Sequence, residues 1–201
     1  MLYNIIALVL SAAILWGIHW MSSPKTAVKG NALGAFCMAI GIVVTLYFAG
    51  ILTMPILWIG MAVGTAIGLI MSIKVKMIQM PQLVALFNGF GGAASALVGL
   101  LIFLGYSAKT PGLFEIITGA LAIIVGMVTL LGSLVAAGKL HQVLAQHPVH
   151  LKGHNAISNL CILAMAVSLV MTGVAGTTGG QLFWAIMCLI TGSLFGVIFT
   201  I

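Results

Sequence analysis

The sequence predicts an all-α fold: a polytopic bundle of about seven transmembrane helices with its N-terminus outside the cytoplasm. The first observation is composition, since 63% of the 201 residues are apolar and 4% are charged. Seven lysines and one glutamate cannot form the charged surface that a soluble domain of this length needs. The second is that the apolar residues form seven segments of about 20 residues, the length that crosses a bilayer. The third is the placement of the lysines in alternate linkers.

The seven spans are joined by short linkers, so sequential helices should be antiparallel neighbours within a single transmembrane domain, residues 1–201. The spans are predicted near residues 2–20, 32–50, 54–73, 82–104, 113–138, 156–174 and 181–201. The first span is expected to be uncleaved, because no basic region precedes it and no small-residue cleavage site follows Trp20.

The lysines also predict the orientation. Linkers two, four and six contain only Lys109, whereas linkers one, three and five contain Lys25, Lys29, Lys74, Lys76, Lys139 and Lys152. By the positive-inside rule the odd-numbered linkers are cytoplasmic. The net charge of +6 is therefore interpreted as a topology signal, and no nucleic-acid partner is expected.

Small and weakly polar residues form a narrow stripe on each of three spans. In span four the stripe is Ala85, Asn88, Gly92, Ser95 and Gly99, and the bulky remainder is Leu83, Phe87, Phe90, Leu97, Leu101 and Leu104. In spans five and six the stripes are Glu115, Gly119, Ala122, Gly126, Thr129, Ser133 and Ala136, then Ser158, Cys161, Ser168 and Thr172. Such stripes suit either a narrow hydrated path or tight helix packing in which hydroxyls bond to their own helix.

Single residues leave similar alternatives. Asn88 needs a hydrogen-bond partner, because burying an unpaired amide costs on the order of several kcal/mol, and it could serve a channel or clamp two helices. Glu115 is either a proton site or, as favoured, a solvated acid at a helix N-terminus. Gly60, Gly64 and Gly68 form a doubled G-x-x-x-G motif that predicts close packing of span three.

Several chemistries lack their motifs. His141, His147, His150 and His154 crowd the fifth linker, but Pro148 and Gly153 break any helix and no cysteine or acid is near, so no metal site is expected. The G-F-G-G of residues 89–92 lies inside a span and is no phosphate loop, and no nucleophile–base pair is present. This chain alone is not expected to be an enzyme, and no catalytic residue is assigned.

Residues 74–99, K-V-K-M-I-Q-M-P-Q-L-V-A-L-F-N-G-F-G-G-A-A-S-A-L-V-G, resemble the membrane domain of the beta subunit of proton-translocating NAD(P) transhydrogenase. Supporting matches are K-G-N-A-L-G at 29–34, G-T-A-I-G at 64–68 and L-L-G-S-L-V-A-A-G-K-L at 130–140. The family commonly has a protonatable histidine at the position of Asn88. Since asparagine cannot carry a proton, the resemblance puts the titrating group elsewhere.

The resemblance implies a complex in the bacterial cytoplasmic (inner) membrane that couples proton transfer to hydride transfer from NADH to NADP⁺. NAD(H) and NADP(H) would bind in peripheral domains, with neither cofactor bound by this chain. The expected partners are the alpha subunit with its membrane helices, the NADP(H)-binding domain of the same subunit, the lipid bilayer and a second copy of the complex. The family's beta subunit continues beyond the position of Ile201 through further spans into that NADP(H)-binding domain.

The predicted proton path consists of Asn88, Ser95, Thr129, Ser133 and Asn159. Gly89, Gly92, Gly132 and Gly138 are predicted to provide close helix packing and space. Two other functions stay open at this point: a secondary transporter or channel working alone, and a structural membrane anchor for a partner enzyme.

Overall fold

The computed structural model describes residues 2–106, 110–145, 147 and 153–201, which fold into helices without strands. The helices are α1 Leu2–Met21, α2 Ala27–Ala49, α3 Pro55–Lys74, α4 Met80–Phe103, α5 Leu113–Leu140, α6 His154–Val174 and α7 Thr178–Thr200. All seven of these described helices are long and apolar enough to cross a membrane, which confirms the predicted fold class. The orientation stays a prediction, and Lys109, His150 and Lys152 lie outside the described residues.

The helix ends follow local chemistry. A short 3₁₀ helix, Met77–Gln79, leads into α4, whose first turn contains Pro81. At the start of α5 the Glu115 carboxylate accepts a hydrogen bond from the Gly112 N–H at 2.9 Å, so this exposed acid is a helix-N-terminal residue. Helix α2 begins at Ala27, five residues before its predicted span, and continues through Gly30, which is buried against α1.

The chain divides into two compact units, residues 1–70 and 71–201. In the first unit α1 and α2 pack antiparallel, and they touch where a Cβ on Gly30 would lie 2.5 Å from the Gly17 carbonyl oxygen. The close packing predicted for span three is not observed in the described chain. A Cβ on Gly60, Gly64 or Gly68 would meet no atom within 4 Å, so the motif faces open space.

Helix α5 forms the centre of the second unit. It packs against α4 and α6 as antiparallel neighbours and against α7 in parallel. The contact with α7 is close, since a Cβ on Gly196 would lie 2.8 Å from the Val128 carbonyl oxygen. The buried core of this unit is Phe103, Ile116, Ala120, Ile123, Ala185 and Cys188.

Helices α4 and α5 meet backbone to backbone at two places. A Cβ on Gly92 would lie 2.6 Å from the carbonyl oxygen of Gly126, and one on Gly126 would lie 2.5 Å from that of Gly92. Two turns further along α4, a Cβ on Gly99 would lie 2.5 Å from the carbonyl oxygen of Gly119. Side chains of any size would hold the helices apart at both places, so the glycines set the distance between α4 and α5.

The buried face of α4 is rotated from the predicted stripe. Its buried residues are Leu83, Gly89, Gly92, Ala96, Gly99 and Phe103. Leu83 was predicted among the bulky residues outside the stripe, but it is buried. Ser95 was predicted in the stripe, but it is exposed. The reason is steric. Both stripes contain Gly92 and Gly99, but the observed face has the small Gly89 and Ala96 in place of Asn88 and Ser95. Smaller side chains let the two backbones approach more closely.

The glycine contact gives a stability prediction. Replacing Gly92 with alanine is expected to lower the free energy of unfolding by about 1–3 kcal/mol, because the new methyl group meets fixed backbone of α5. Gly91 is the matched control, since a Cβ there would meet no atom within 4 Å. Thermal unfolding of the two purified variants measures the difference, and equal melting temperatures would contradict the packing described.

Candidate functional site

One hydrogen bond between polar side chains joins α4 and α5. The Nδ2 of Asn88 donates to the Oγ of Ser133 at 2.9 Å, and Ser133 is only 8% exposed. Gly89 makes room for this pair, because a Cβ there would lie 3.2 Å from the Cβ of Ser133. The glycine contact between the helices thus brings two polar groups together in the membrane-spanning part of the chain.

Most other hydroxyls in the helices bond within their own helix. The Oγ of Ser95 donates to the Gly91 carbonyl at 3.1 Å and that of Ser168 to the Ala164 carbonyl at 2.8 Å. The buried Thr172 likewise donates to the Ser168 carbonyl at 2.7 Å. At these three positions the packing interpretation of the stripes holds, and a hydroxyl satisfied in this way has little capacity left for a proton path.

The Asn88–Ser133 pair keeps unused hydrogen-bonding capacity. Within the described residues the Oδ1 of Asn88 accepts no hydrogen bond, and the Ser133 hydroxyl accepts from Asn88 without donating to another described group. Asn88 is also an exposed residue, although its amide reaches Ser133 on α5. The pair can therefore hold and orient a water molecule or a side chain of another helix. Neither group titrates, so neither can carry a proton as an ion.

The structure distributes the other predicted site residues differently. Thr129 lies one turn from Ser133 and faces Gly92, so it belongs to the same contact. Ser95 and Asn159 are exposed, and the described structure gives neither a hydrogen bond to the Asn88–Ser133 pair.

The four predicted glycines each face packed atoms. The backbone of α5 fills the volume next to Gly89 and Gly92. Gly132 faces α7, where a Cβ would lie 3.0 Å from the Oγ1 of Thr200, and Gly138 faces the Leu144 side chain just after α5.

A second polar pair, which the sequence did not reveal, lies at the end of these helices. The Nε2 of Gln82 donates to the Leu140 carbonyl at 2.9 Å, and its Oε1 lies 3.1 Å from the Nδ1 of His141. A cavity of about 440 Å³ is lined by Gln82 and His141 and continues to Leu86 and Leu134. The sequence feature that could have indicated this pair is the short linker that makes α4 and α5 antiparallel neighbours, because the start of α4 then lies beside the end of α5. Within the described residues, no cluster of three metal-ligating side chains occurs.

Comparison with known proteins shows the family of the chain. A family model described as NAD(P) transhydrogenase beta subunit matches residues 3–201. The chain belongs to this family. The NAD(P) transhydrogenase subunit beta of Rhodospirillum rubrum is 30% identical over 148 residues, and the same figures hold for the protein of a defined strain of that species. Each match covers 71% of this chain and 32% of the relative, so the chain spans about a third of the length of these transhydrogenase beta subunits.

In this member of the transhydrogenase beta subunit family, the bond between Asn88 and Ser133 is expected to contribute measurably to stability. A double-mutant cycle with Asn88→Ala and Ser133→Ala should give a coupling free energy of about 0.6–1.7 kcal/mol, the range for side-chain hydrogen bonds between membrane helices. Ser95→Ala is the control partner, since Ser95 bonds to its own helix and should show no coupling to Asn88. Reversible unfolding in detergent measures the three single variants and the two double variants that contain Asn88→Ala.

Proposed function

We propose that this chain forms part of the proton-translocating membrane domain of an NAD(P) transhydrogenase, in which proton transfer across the bilayer is coupled to hydride transfer from NADH to NADP⁺. Family membership supports the general role. The observation that carries the proposal is the hydrogen bond between the exposed Asn88 and the buried Ser133, in which the Asn88 Oδ1 has no partner among the described residues.

In the proposed mechanism the pair positions water and another residue carries the charge. Asn88 uses its amide N–H to hold Ser133, which leaves its carbonyl oxygen and the Ser133 hydroxyl for a water molecule. A titratable group on a helix outside this chain then exchanges its proton through that water. Since Asn88 is exposed whereas Gly92 and Gly126 are buried, a further helix can reach Asn88 without disturbing the glycine contact.

The proposal includes the assembly that coupling requires. The helix that carries the titratable group belongs to an alpha subunit or to the remainder of the beta subunit. An NADP(H)-binding domain of the beta subunit takes part in the hydride transfer. In this proposal the lysine-rich linkers, between α3 and α4 and between α5 and α6, are on the cytoplasmic side of a bacterial inner membrane and face that domain. Because coupling is reciprocal, the nucleotide state of the domain and the proton affinity of the path must affect one another.

Replacing Asn88 with leucine in the complete complex tests this role. The variant is expected to lower proton pumping and coupled hydride transfer by about tenfold or more, as for loss of a positioned proton-transfer group. Replacement with histidine is expected to retain pumping, because an imidazole can bond to Ser133 and also exchange a proton. Both rates are measured in proteoliposomes with NADH and NADP⁺ supplied, and normalised to assembled complex.

Ser95→Ala serves as the control, because Ser95 is on the same helix and bonds only to Gly91. A purely structural clamp makes a different prediction: Asn88→Leu would lower the melting temperature while pumping per assembled complex stayed at the wild-type rate. That result would refute the proposed role of the pair. Specific solute flux through proteoliposomes of this chain alone would favour a stand-alone transporter.

A further inference from the structure

The second polar pair lies nearer than the first to the end where α4 begins and α5 ends. Gln82 is in the first turn of α4, about 9 Å along the helix from Asn88, and His141 follows α5 about 12 Å along from Ser133. The cavity extends from Gln82 and His141 toward the first pair, since its lining includes Leu86, two residues before Asn88, and Leu134, the residue after Ser133. Its volume of about 440 Å³ has room for on the order of ten water molecules.

Gln82 fixes the protonation pattern of the His141 ring. The Leu140 carbonyl can only accept a hydrogen bond, so the amide group of Gln82 must turn its Nε2 toward it. Its Oε1 then faces the Nδ1 of His141 at 3.1 Å, and the ring must carry a hydrogen on Nδ1 to donate to it. In the neutral ring this leaves the lone pair on Nε2 as the base, because the partner of one ring nitrogen sets the role of the other.

The charged side chains on the segments next to His141 are lysines. Lys139 is in the last turn of α5, and Lys74 and Lys76 are exposed on the segment before α4. The single acid of the chain, Glu115, is at the opposite end of α5, about 39 Å along the helix. The one acidic side chain of the chain is therefore too far from His141 to form an ion pair with it, and the His141 ring is exposed.

We propose that His141 is the proton-exchange residue at the lysine-rich end of this path, and that Gln82 is the positioning residue that leaves its Nε2 free. The Nε2 takes a proton from bulk water and passes it to water in the cavity, which leads to Asn88 and Ser133. Between the two pairs the lining is apolar, with Leu83, Leu86 and Leu134, so filling of this section with water controls passage. The inference rests on the proposed function.

The first experiment measures proton pumping by the complete complex in proteoliposomes with His141→Gln. Pumping is expected to fall about tenfold and to recover when imidazole is added to the buffer, since a free base replaces the lost one. His19→Gln is the matched control, because His19 is an exposed histidine in the other unit and should leave pumping unchanged. Wild-type pumping by His141→Gln, or a loss that imidazole does not rescue, would overturn the proposal.

The second experiment needs no loss of function. Nitrogen-15 NMR of histidine-labelled complex is expected to show His141 as the Nδ1–H tautomer when neutral. Gln82→Glu keeps an acceptor beside Nδ1 and should keep this tautomer, whereas Gln82→Leu should shift the ring toward the Nε2–H form that dominates in free histidine. A wild-type His141 that is already mainly Nε2–H would refute the role given to Gln82.

The two proposals fail separately. If Asn88→Leu stops pumping while His141→Gln pumps at the wild-type rate, the proton path stands and His141 is not its exchange residue. If Asn88→Leu and Ser133→Ala both pump normally, the path itself is refuted, whatever His141→Gln shows.

Discussion

The close approach of α4 and α5 is the constraint on which the second unit depends. In a bilayer the surrounding lipid is as apolar as the side chains, so helices associate through packing and hydrogen bonds and without a hydrophobic driving force. Gly92 with Gly126, and Gly99 with Gly119, bring the two backbones together where any Cβ would collide with a carbonyl oxygen. The position of Ser133 beside Asn88, and the cavity at the end of the pair, both follow from this contact.

The hydrogen bonds distinguish hydroxyl groups that are satisfied within their own helix from the pair proposed to have a function. An unpaired polar group in hydrocarbon costs several kcal/mol, so a hydroxyl inside a span normally bonds to the carbonyl one turn back. Ser95, Ser168 and Thr172 do so. Ser133 instead bonds across the helix pair to a group that retains acceptor capacity. A proton path needs groups that are held in place and still able to bind water, and the Asn88–Ser133 pair combines both properties.

Composition and segment length were sufficient for the fold class, because only helices satisfy the backbone of such apolar segments in a bilayer. The face of α4 was not predictable, since two stripes with the same spacing share Gly92 and Gly99 and only the partner helix decides between them. Asn88 was recognisable as a polar group needing a partner, but Ser133 as that partner depends on the register of α4 against α5. The Gln82–His141 pair depends on the same register and so escaped prediction. Ser95 and Asn159 have the same side-chain chemistry as Ser133 and Asn88, but they are exposed and form no hydrogen bond with that pair.

The two glycine contacts also constrain how this part of the protein can move. Interlocked backbones without intervening side chains cannot slide or roll against each other unless carbonyl groups collide, so α4 and α5 form one mechanical body. In the proposed function, any movement that connects Asn88 with one aqueous phase and then the other must therefore be a displacement of other helices past this rigid pair. Helices α4 and α5 would then be the fixed part of the complex.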